Sequence, residues 1–101
     1  MDCYVFAYGT LLDAKVRNDI LGYSTSICNS KIQGFHMKKI RLGGRIYPIL
    51  VEDHGSEIWI EGGYFKINPK DLKRLDDYES PAYRRKLVKT AEGVPVWIYY
   101  R

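Results

Sequence analysis

The sequence contains few of the residues from which metal sites and disulfide frameworks are built. It has two cysteines and two histidines in 101 residues. Cys3 and Cys28 stand too far apart to form a CxxC pair, and neither His36 nor His54 has a second ligand at metal-binding spacing. The sequence therefore predicts reduced, partly buried thiols and no metal site.

Long apolar runs and dividing linkers are also missing. No stretch of about 18 apolar residues occurs, so we expect no membrane-spanning helix. Residues 1–4 lack the basic and apolar regions of a secretory signal, and we expect a cytoplasmic protein. No repeat or Ser/Gly/Pro-rich segment divides the chain, which predicts a single domain over residues 1–101.

Positive charge and tyrosine are what the sequence has in excess. Sixteen lysines and arginines against twelve acidic residues give a formal net charge of +4. Such a charge permits an anionic ligand without requiring one. The chain also has nine tyrosines, and because tyrosine is amphipathic, they can line a pocket that is apolar on its walls and polar at a few points.

Apolar spacing and turn residues predict an α+β domain with two helices and five or six strands, mostly antiparallel and curled towards a barrel. One helix is predicted over residues 12–21, ending before Gly22, and the other from a cap at Asn68 to Tyr78 or Glu79. The pair Gly62-Gly63 predicts a bulge or a close backbone approach within a strand. Extended segments are predicted at residues 4–7, 27–42, 47–51, 58–67, 83–90 and 94–100.

The first candidate site is the segment Tyr8-Gly9-Thr10-Leu11, between a predicted buried strand and a helix. Glycine lets the backbone approach a ligand without a Cβ in the way. Unpaired N–H groups of a loop that enters a helix can bind a carboxylate or an oxyanion. A tight turn without any function has the same pattern.

The second candidate is a carboxylate on the second helix. Leu72, Leu75 and Glu79 share one helix face, which carries Glu79 towards the core, where partial desolvation raises the pKa of a carboxyl group. A glutamate of raised pKa serves as a general acid or base near neutrality. Asp76 lies close to the same face, and a plain ion pair of Glu79 with Arg84 or Arg85 is the structural alternative. Spacing does not decide between these readings.

Other residues point to structure first. No serine lies in a GxSxG setting and neither cysteine has a helical base nearby, so covalent nucleophilic catalysis has no support. The cluster Tyr83-Arg84-Arg85-Lys86 could bind phosphate or RNA, but on a strand its charges alternate between the two faces, which favours a solvated surface.

Taken in order, the motifs of this chain resemble those of the γ-glutamylcyclotransferase-like family. Tyr8-Gly9-Thr10-Leu11 matches the YG[ST]L motif of that family. The further matches are Tyr47-Pro48, Ile60–Tyr64, Leu75–Glu79 for L-D-x-[YF]-E, Tyr83-x-Arg85-x-x-Val88, and Val96–Tyr99. Serine at position 80 replaces a usual glycine.

The resemblance implies a small, mostly antiparallel β-barrel flanked by two or more helices, with a cavity between the YGTL segment and the glutamate. It also implies that Glu79, not Asp76, is the catalytic acid/base. The implied reaction closes a γ-glutamyl-amine or γ-glutamyl-amino acid to 5-oxoproline and releases the amine, with no cofactor. Substrate-binding residues would be Tyr8, Gly9, Thr10, Leu11, Tyr47, Tyr83 and Tyr99.

Two other functions remain open at this point. A small-molecule binding or regulatory module on the same fold would keep the pocket without turnover. A nucleic-acid-binding β-domain would use the positive charge, but no RNA-binding motif supports it. We therefore expect a small-molecule γ-glutamyl partner and neither nucleic acid nor membrane, while the leaving amine and the oligomeric state stay undetermined.

Overall fold

The computed structural model describes residues 3–79 and 81–101, so Ser80 lies outside the described residues. These residues form seven strands and two α-helices. The strands are β1 (Cys3–Ala7), β2 (Ile27–Ile32), β3 (Phe35–Leu42), β4 (Arg45–Glu52), β5 (Ile60–Ile67), β6 (Arg84–Lys89) and β7 (Pro95–Tyr100). The helices are α1 (Ala14–Leu21) and α2 (Leu72–Glu79), and short 3-10 turns precede them at Thr10–Leu12 and Pro69–Asp71.

The predicted α+β class is confirmed, but the predicted number of strands is too low. The single extended segment expected over residues 27–42 is two strands, β2 and β3. Gly34 separates them with φ of 93°, a left-handed conformation that glycine adopts at no steric cost.

Five strands form one mixed sheet, and two form a separate ribbon. The sheet order is β2-β5-β1-β7-β6, and β3 pairs only with β4 among the described residues. β1 and β7 are parallel, whereas every other pair is antiparallel. The closed barrel that the resemblance implies is not confirmed, because no ladder joins the edge strands β2 and β6 within the described residues.

Both helix starts follow the local sequence. Asp13 caps α1 by accepting from the Lys15 N–H, which places the start two residues later than the apolar spacing predicted. Gly22 ends that helix with φ of 81°. The Asn68 side chain accepts from the Lys70 N–H, which confirms the predicted cap before α2.

Alternating residues of β1 divide the core between the two faces of the sheet. Cys3, Val5 and Ala7 pack with α1 and α2, whereas Phe6 packs on the other face with apolar residues of the ribbon and of β7. The end of β1 therefore lies where the helices, the ribbon and β7 meet.

Neither cysteine forms a disulfide in the described chain. Cys3 is buried as predicted, but Cys28 is exposed. No helix of the described part is long and apolar enough to cross a bilayer.

The Gly62-Gly63 pair marks a close backbone approach rather than a bulge. The ladder runs without interruption from Ile27↔Phe65 to Ile32↔Ile60. A Cβ on Gly62 would lie 2.2 Å from the Ala7 carbonyl oxygen, and one on Gly63 would lie 2.7 Å from Ile27 Cγ1. Side chains at these positions would push β5 away from β1 and β2.

We predict that Gly62→Ala lowers the free energy of unfolding by about 3 kcal/mol, because the obstructing atom belongs to the backbone and has no room to move. Denaturant unfolding followed by circular dichroism measures this change. Gly55→Ala is the matched control, since nothing lies within 4 Å of its added Cβ, and it should stay within about 0.5 kcal/mol of the parent. Equal stability of the two variants would contradict the close approach.

Candidate active site

A cavity at the carboxyl end of β1 brings together Glu79 and all the substrate-binding residues expected from the sequence, but not Asp76. This inner cavity has a volume of about 30 Å³, which is space for about two water molecules or one small polar group. Its lining consists of Phe6, Ala7, Tyr8, Gly9, Thr10, Leu11, Tyr47, Pro48, Glu79, Tyr83 and Tyr99. Phe6, Ala7 and Pro48 are the lining residues that the sequence did not single out as site residues.

A wider outer cleft adjoins the inner cavity. Its volume is about 620 Å³. The two spaces share Thr10, Tyr47, Glu79 and Tyr83 as walls. The rest of the cleft is formed by Leu42 and Gly43 at the end of the ribbon, by Tyr78, Pro81 and Ala82 around the end of α2, and by Arg101.

The loop at residues 8–12 covers the inner cavity with backbone. A Cβ on Gly9 would lie 3.2 Å from Pro48 Cγ, so the loop packs tightly against β4. The Leu12 N–H donates to the Gly9 carbonyl at 3.0 Å, which closes the 3-10 turn. The N–H groups of residues 9–11 have no acceptor among the described residues, as expected where a loop enters a helix.

A buried arginine that the sequence reasoning missed holds this loop in place. Arg17 is 3% exposed, and its guanidinium donates to the carbonyls of Leu11 at 2.9 Å and Leu12 at 2.8 Å. It also donates to Thr25 Oγ1 and lies over the Phe65 ring. Its position four residues before the buried Leu21, on the same helix face, is the signal that could have identified it.

The Glu79 carboxylate lies at the border of the inner cavity and the outer cleft. It stands on the helix face of the fully buried Leu75, as the spacing predicted. No ion pair involves it among the described residues. Burial raises its pKa from the ordinary value of 4.5 to about 7, so both protonation states are populated near neutrality.

The carboxylate of Asp76 is engaged elsewhere. Arg85 donates to both of its oxygens, at 2.8 and 3.2 Å, and Tyr99 donates its hydroxyl to Oδ1 at 2.8 Å. The pairing of Arg85 that the structural alternative assigned to Glu79 is therefore made with Asp76 in the described chain. These two carboxylates of the same helix thus have different environments: Asp76 is paired with an arginine, and Glu79 is desolvated by burial.

Most tyrosine hydroxyls around the cavity already donate to protein acceptors. Tyr8 donates to the Tyr99 carbonyl, and Tyr83 donates to the Pro48 carbonyl at 3.1 Å. Burial raises the pKa of both phenols, and the nearby Glu79 carboxylate adds to the rise. These groups therefore stay neutral and act as walls, while the Tyr47 hydroxyl has no partner among the described residues.

The arrangement supplies a proton acceptor of near-neutral pKa beside unpaired N–H donors. Such donors stabilise a carboxylate or a developing oxyanion. Among residues 3–79 and 81–101, no three His, Cys, Asp or Glu side chains come close enough together to hold a metal ion.

Comparisons with known proteins identify similar chains. A protein-family model described as "Gamma-glutamyl cyclotransferase, AIG2-like" matches residues 5–101. A curated relative, "AIG2-like protein C" of Arabidopsis thaliana, is 33% identical over 94% of this chain and 56% of its own length. The chain thus spans about half the length of the curated relatives it matches.

Solved structures have the same fold. A solution structure of an Arabidopsis thaliana protein has a TM-score of 0.78 and 27% identity, covering 98% of this chain and 68% of that one. A structure named "Gamma-glutamyl cyclotransferase" has a TM-score of 0.71 and 20% identity, covering 99% of this chain and 66% of that one.

We predict that Arg17→Met lowers the free energy of unfolding by about 2–4 kcal/mol, because it leaves two loop carbonyls without their donor. Amide hydrogen exchange at Leu12 and Asp13, whose N–H groups donate to the Gly9 and Thr10 carbonyls, should quicken more than in the strands. Lys15→Met is the matched control, since Lys15 is exposed and forms an exposed ion pair with Asp19, and it should change stability by less than about 0.5 kcal/mol. A stability loss without faster loop exchange would contradict the anchoring role.

We predict a pH-dependent stability cost from Glu79. The pKa of Glu79 is higher in the folded chain than in the unfolded chain, so between about pH 4.5 and 7 the unfolded state binds fewer protons than the folded state. The free energy of unfolding therefore falls as the pH rises through this range, by at most roughly 3 kcal/mol. Glu79→Gln should remove this fall. Urea unfolding at pH 4.5, 6 and 8 measures it, and identical pH slopes for parent and variant would refute the raised pKa.

Proposed function

We propose, because the chain belongs to the gamma-glutamyl cyclotransferase, AIG2-like family, that it converts a γ-glutamyl-amine or γ-glutamyl-amino acid to 5-oxoproline and a free amine. The observation that carries this proposal is the Glu79 carboxylate. It is raised in pKa to about 7 and borders a cavity that is lined by a loop with unpaired N–H groups.

The proposed reaction is an intramolecular transfer that balances without a co-reactant. The α-amino nitrogen of the γ-glutamyl group attacks its own γ-carbonyl carbon, and a new C–N bond closes the five-membered ring. The bond from that carbon to the leaving nitrogen then breaks. Since nucleophile and electrophile belong to one molecule, a protein that holds the folded conformer gains much of the effective molarity of the reaction.

Glu79 would move the protons that this exchange requires. The α-ammonium nitrogen loses two protons in all, one before it attacks and one after the ring has closed, and the departing nitrogen gains two, since it leaves as an ammonium. For each proton, Glu79 accepts it as a carboxylate and gives it to the departing nitrogen as a carboxylic acid. A pKa of about 7 suits both steps, because neither protonation state is scarce near neutrality.

The remaining groups would bind and orient the substrate. The N–H groups of Gly9, Thr10 and Leu11 are free to hold the α-carboxylate or the developing oxyanion, and the Tyr47 hydroxyl is a further donor. Tyr8, Tyr83 and Tyr99 would serve as walls, since their hydroxyls already have acceptors. We propose that the domain needs no cofactor for this reaction.

A non-catalytic binding module is the second candidate. The small volume of the inner cavity, about 30 Å³, favours it, because a group bound there has little room to change geometry. Recovery of a bound γ-glutamyl compound unchanged would support this alternative.

We predict that Glu79→Gln abolishes 5-oxoproline release, because the amide cannot accept and return a proton. Chromatographic detection of 5-oxoproline from a panel of γ-glutamyl amines and amino acids gives the rate, and the loss should be at least about 100-fold. Asp77→Asn is the matched control. It removes one negative charge from an exposed position of the same helix and should keep the parental rate.

Full turnover by Glu79→Gln would exclude this mechanism. Equal losses in Glu79→Gln and Asp77→Asn would attribute the effect to the charge of the helix instead of to a proton transfer at the cavity.

A further inference from the structure

The outer cleft has one cationic side chain in its described lining. Arg101 stands in its wall, and Glu79 is the one acidic residue there. Its other walls are tyrosines and apolar or small residues, among them Tyr47, Tyr78 and Pro81. A ligand group that enters this cleft therefore meets a single positive charge.

Arg101 is held at the cleft through its backbone. Its backbone N–H donates to the Leu50 carbonyl at 2.9 Å, which ties the residue after β7 to β4 of the ribbon. Its guanidinium opposes the rise that burial and Glu79 cause in the pKa of Tyr83, so the charge lies close to that cavity wall.

No carboxylate among the described residues pairs with Arg101. Nearby cations do have partners, since Arg85 pairs with Asp76 and Lys86 pairs with Glu52. An arginine that faces a cleft without a protein counter-charge is available to an anionic ligand group, and its planar donors suit a carboxylate.

We infer that Arg101 is a specificity-determining residue that binds a carboxylate on the leaving amine. This inference rests on the proposed function. With one small polar group of the γ-glutamyl moiety in the inner cavity beside Glu79, the rest of the substrate, including the leaving amine and its substituent, lies in the outer cleft. γ-Glutamyl amino acids and peptides are then better substrates than γ-glutamyl amines that lack an anionic group.

The electrostatics of the cleft agree with this preference. A second carboxylate on the substrate would be repelled by the ionised Glu79, and the Arg101 charge offsets that repulsion. Because Arg101 is exposed to solvent, its contribution is that of a partly screened pair, and we expect a preference of about threefold to tenfold.

The test compares γ-glutamyl-alanine with γ-glutamyl-alaninamide, which differ only in carboxylate against carboxamide. The wild-type chain should show a kcat/KM about three to ten times higher for γ-glutamyl-alanine. Arg101→Gln should lower that value alone and bring the ratio close to one. Arg41→Gln, which removes an exposed arginine of the ribbon outside the cleft, should keep the parental ratio.

Equilibrium binding separates this inference from the proposed reaction. In the Glu79→Gln background, γ-glutamyl-alanine should bind more tightly than its amide by a similar factor, and Arg101→Gln should remove the difference. A binding preference that depends on Arg101 without any 5-oxoproline release by the wild type would uphold the inference and overturn the reaction. Turnover of both compounds at a ratio that Arg101→Gln leaves unchanged would do the reverse.

Discussion

The buried guanidinium of Arg17 is the interaction on which the arrangement of the site depends. It joins the carbonyls of Leu11 and Leu12, the Thr25 hydroxyl and the Phe65 ring, and so ties the loop after β1 to α1 and β5. Burial of a cation costs several kcal/mol unless its donors are satisfied. Here carbonyl and hydroxyl oxygens accept from Nε and Nη1 of Arg17 in place of a carboxylate. The loop that uses its carbonyls in this way keeps its N–H groups directed elsewhere, and those of residues 9–11 remain unpaired.

The distribution of charges on α2 decides which carboxylate can exchange protons. Asp76 forms an ion pair with Arg85, whose guanidinium also stacks on the Trp97 ring at 4.3 Å from the ring centre. Glu79, three residues along, has no ion pair among the described residues, and desolvation raises its pKa. An ordinary ion pair and a carboxyl group of raised pKa thus lie about one turn apart on the same helix.

Much of the local structure could be predicted from the sequence, because its causes are local. The Asn68 cap, the stop at Gly22 and the inward face of Glu79 follow from hydrogen bonding and helix spacing within a few residues. The conformational freedom of Gly34 is equally local, yet the division of residues 27–42 into two strands was not predicted. A glycine inside an alternating pattern does not by itself indicate a positive φ. The closure of the sheet depends on pairing between distant strands, and no short pattern encodes it.

The contacts that separate Asp76 from Glu79 and that hold Arg17 join different elements that are 5 to 9 residues apart in the chain, and helix spacing left them open. The two parts of the site differ in how far the core depends on the residues that line them. The inner cavity is lined by the end of β1, the loop at residues 8–12, β4, β7 and the end of α2, and Ala7, Leu11 and Tyr99 of this lining also belong to the core. The outer cleft is formed by the ribbon end, the segment after α2 and Arg101, which the core does not require. A residue such as Leu42 or Arg101 can therefore change with little cost in stability, whereas a change at Ala7 or Leu11 alters packing. Residues of the inner cavity are therefore constrained by folding as well as by the reaction. Residues of the outer cleft can vary, and with them the preference for one substrate over another.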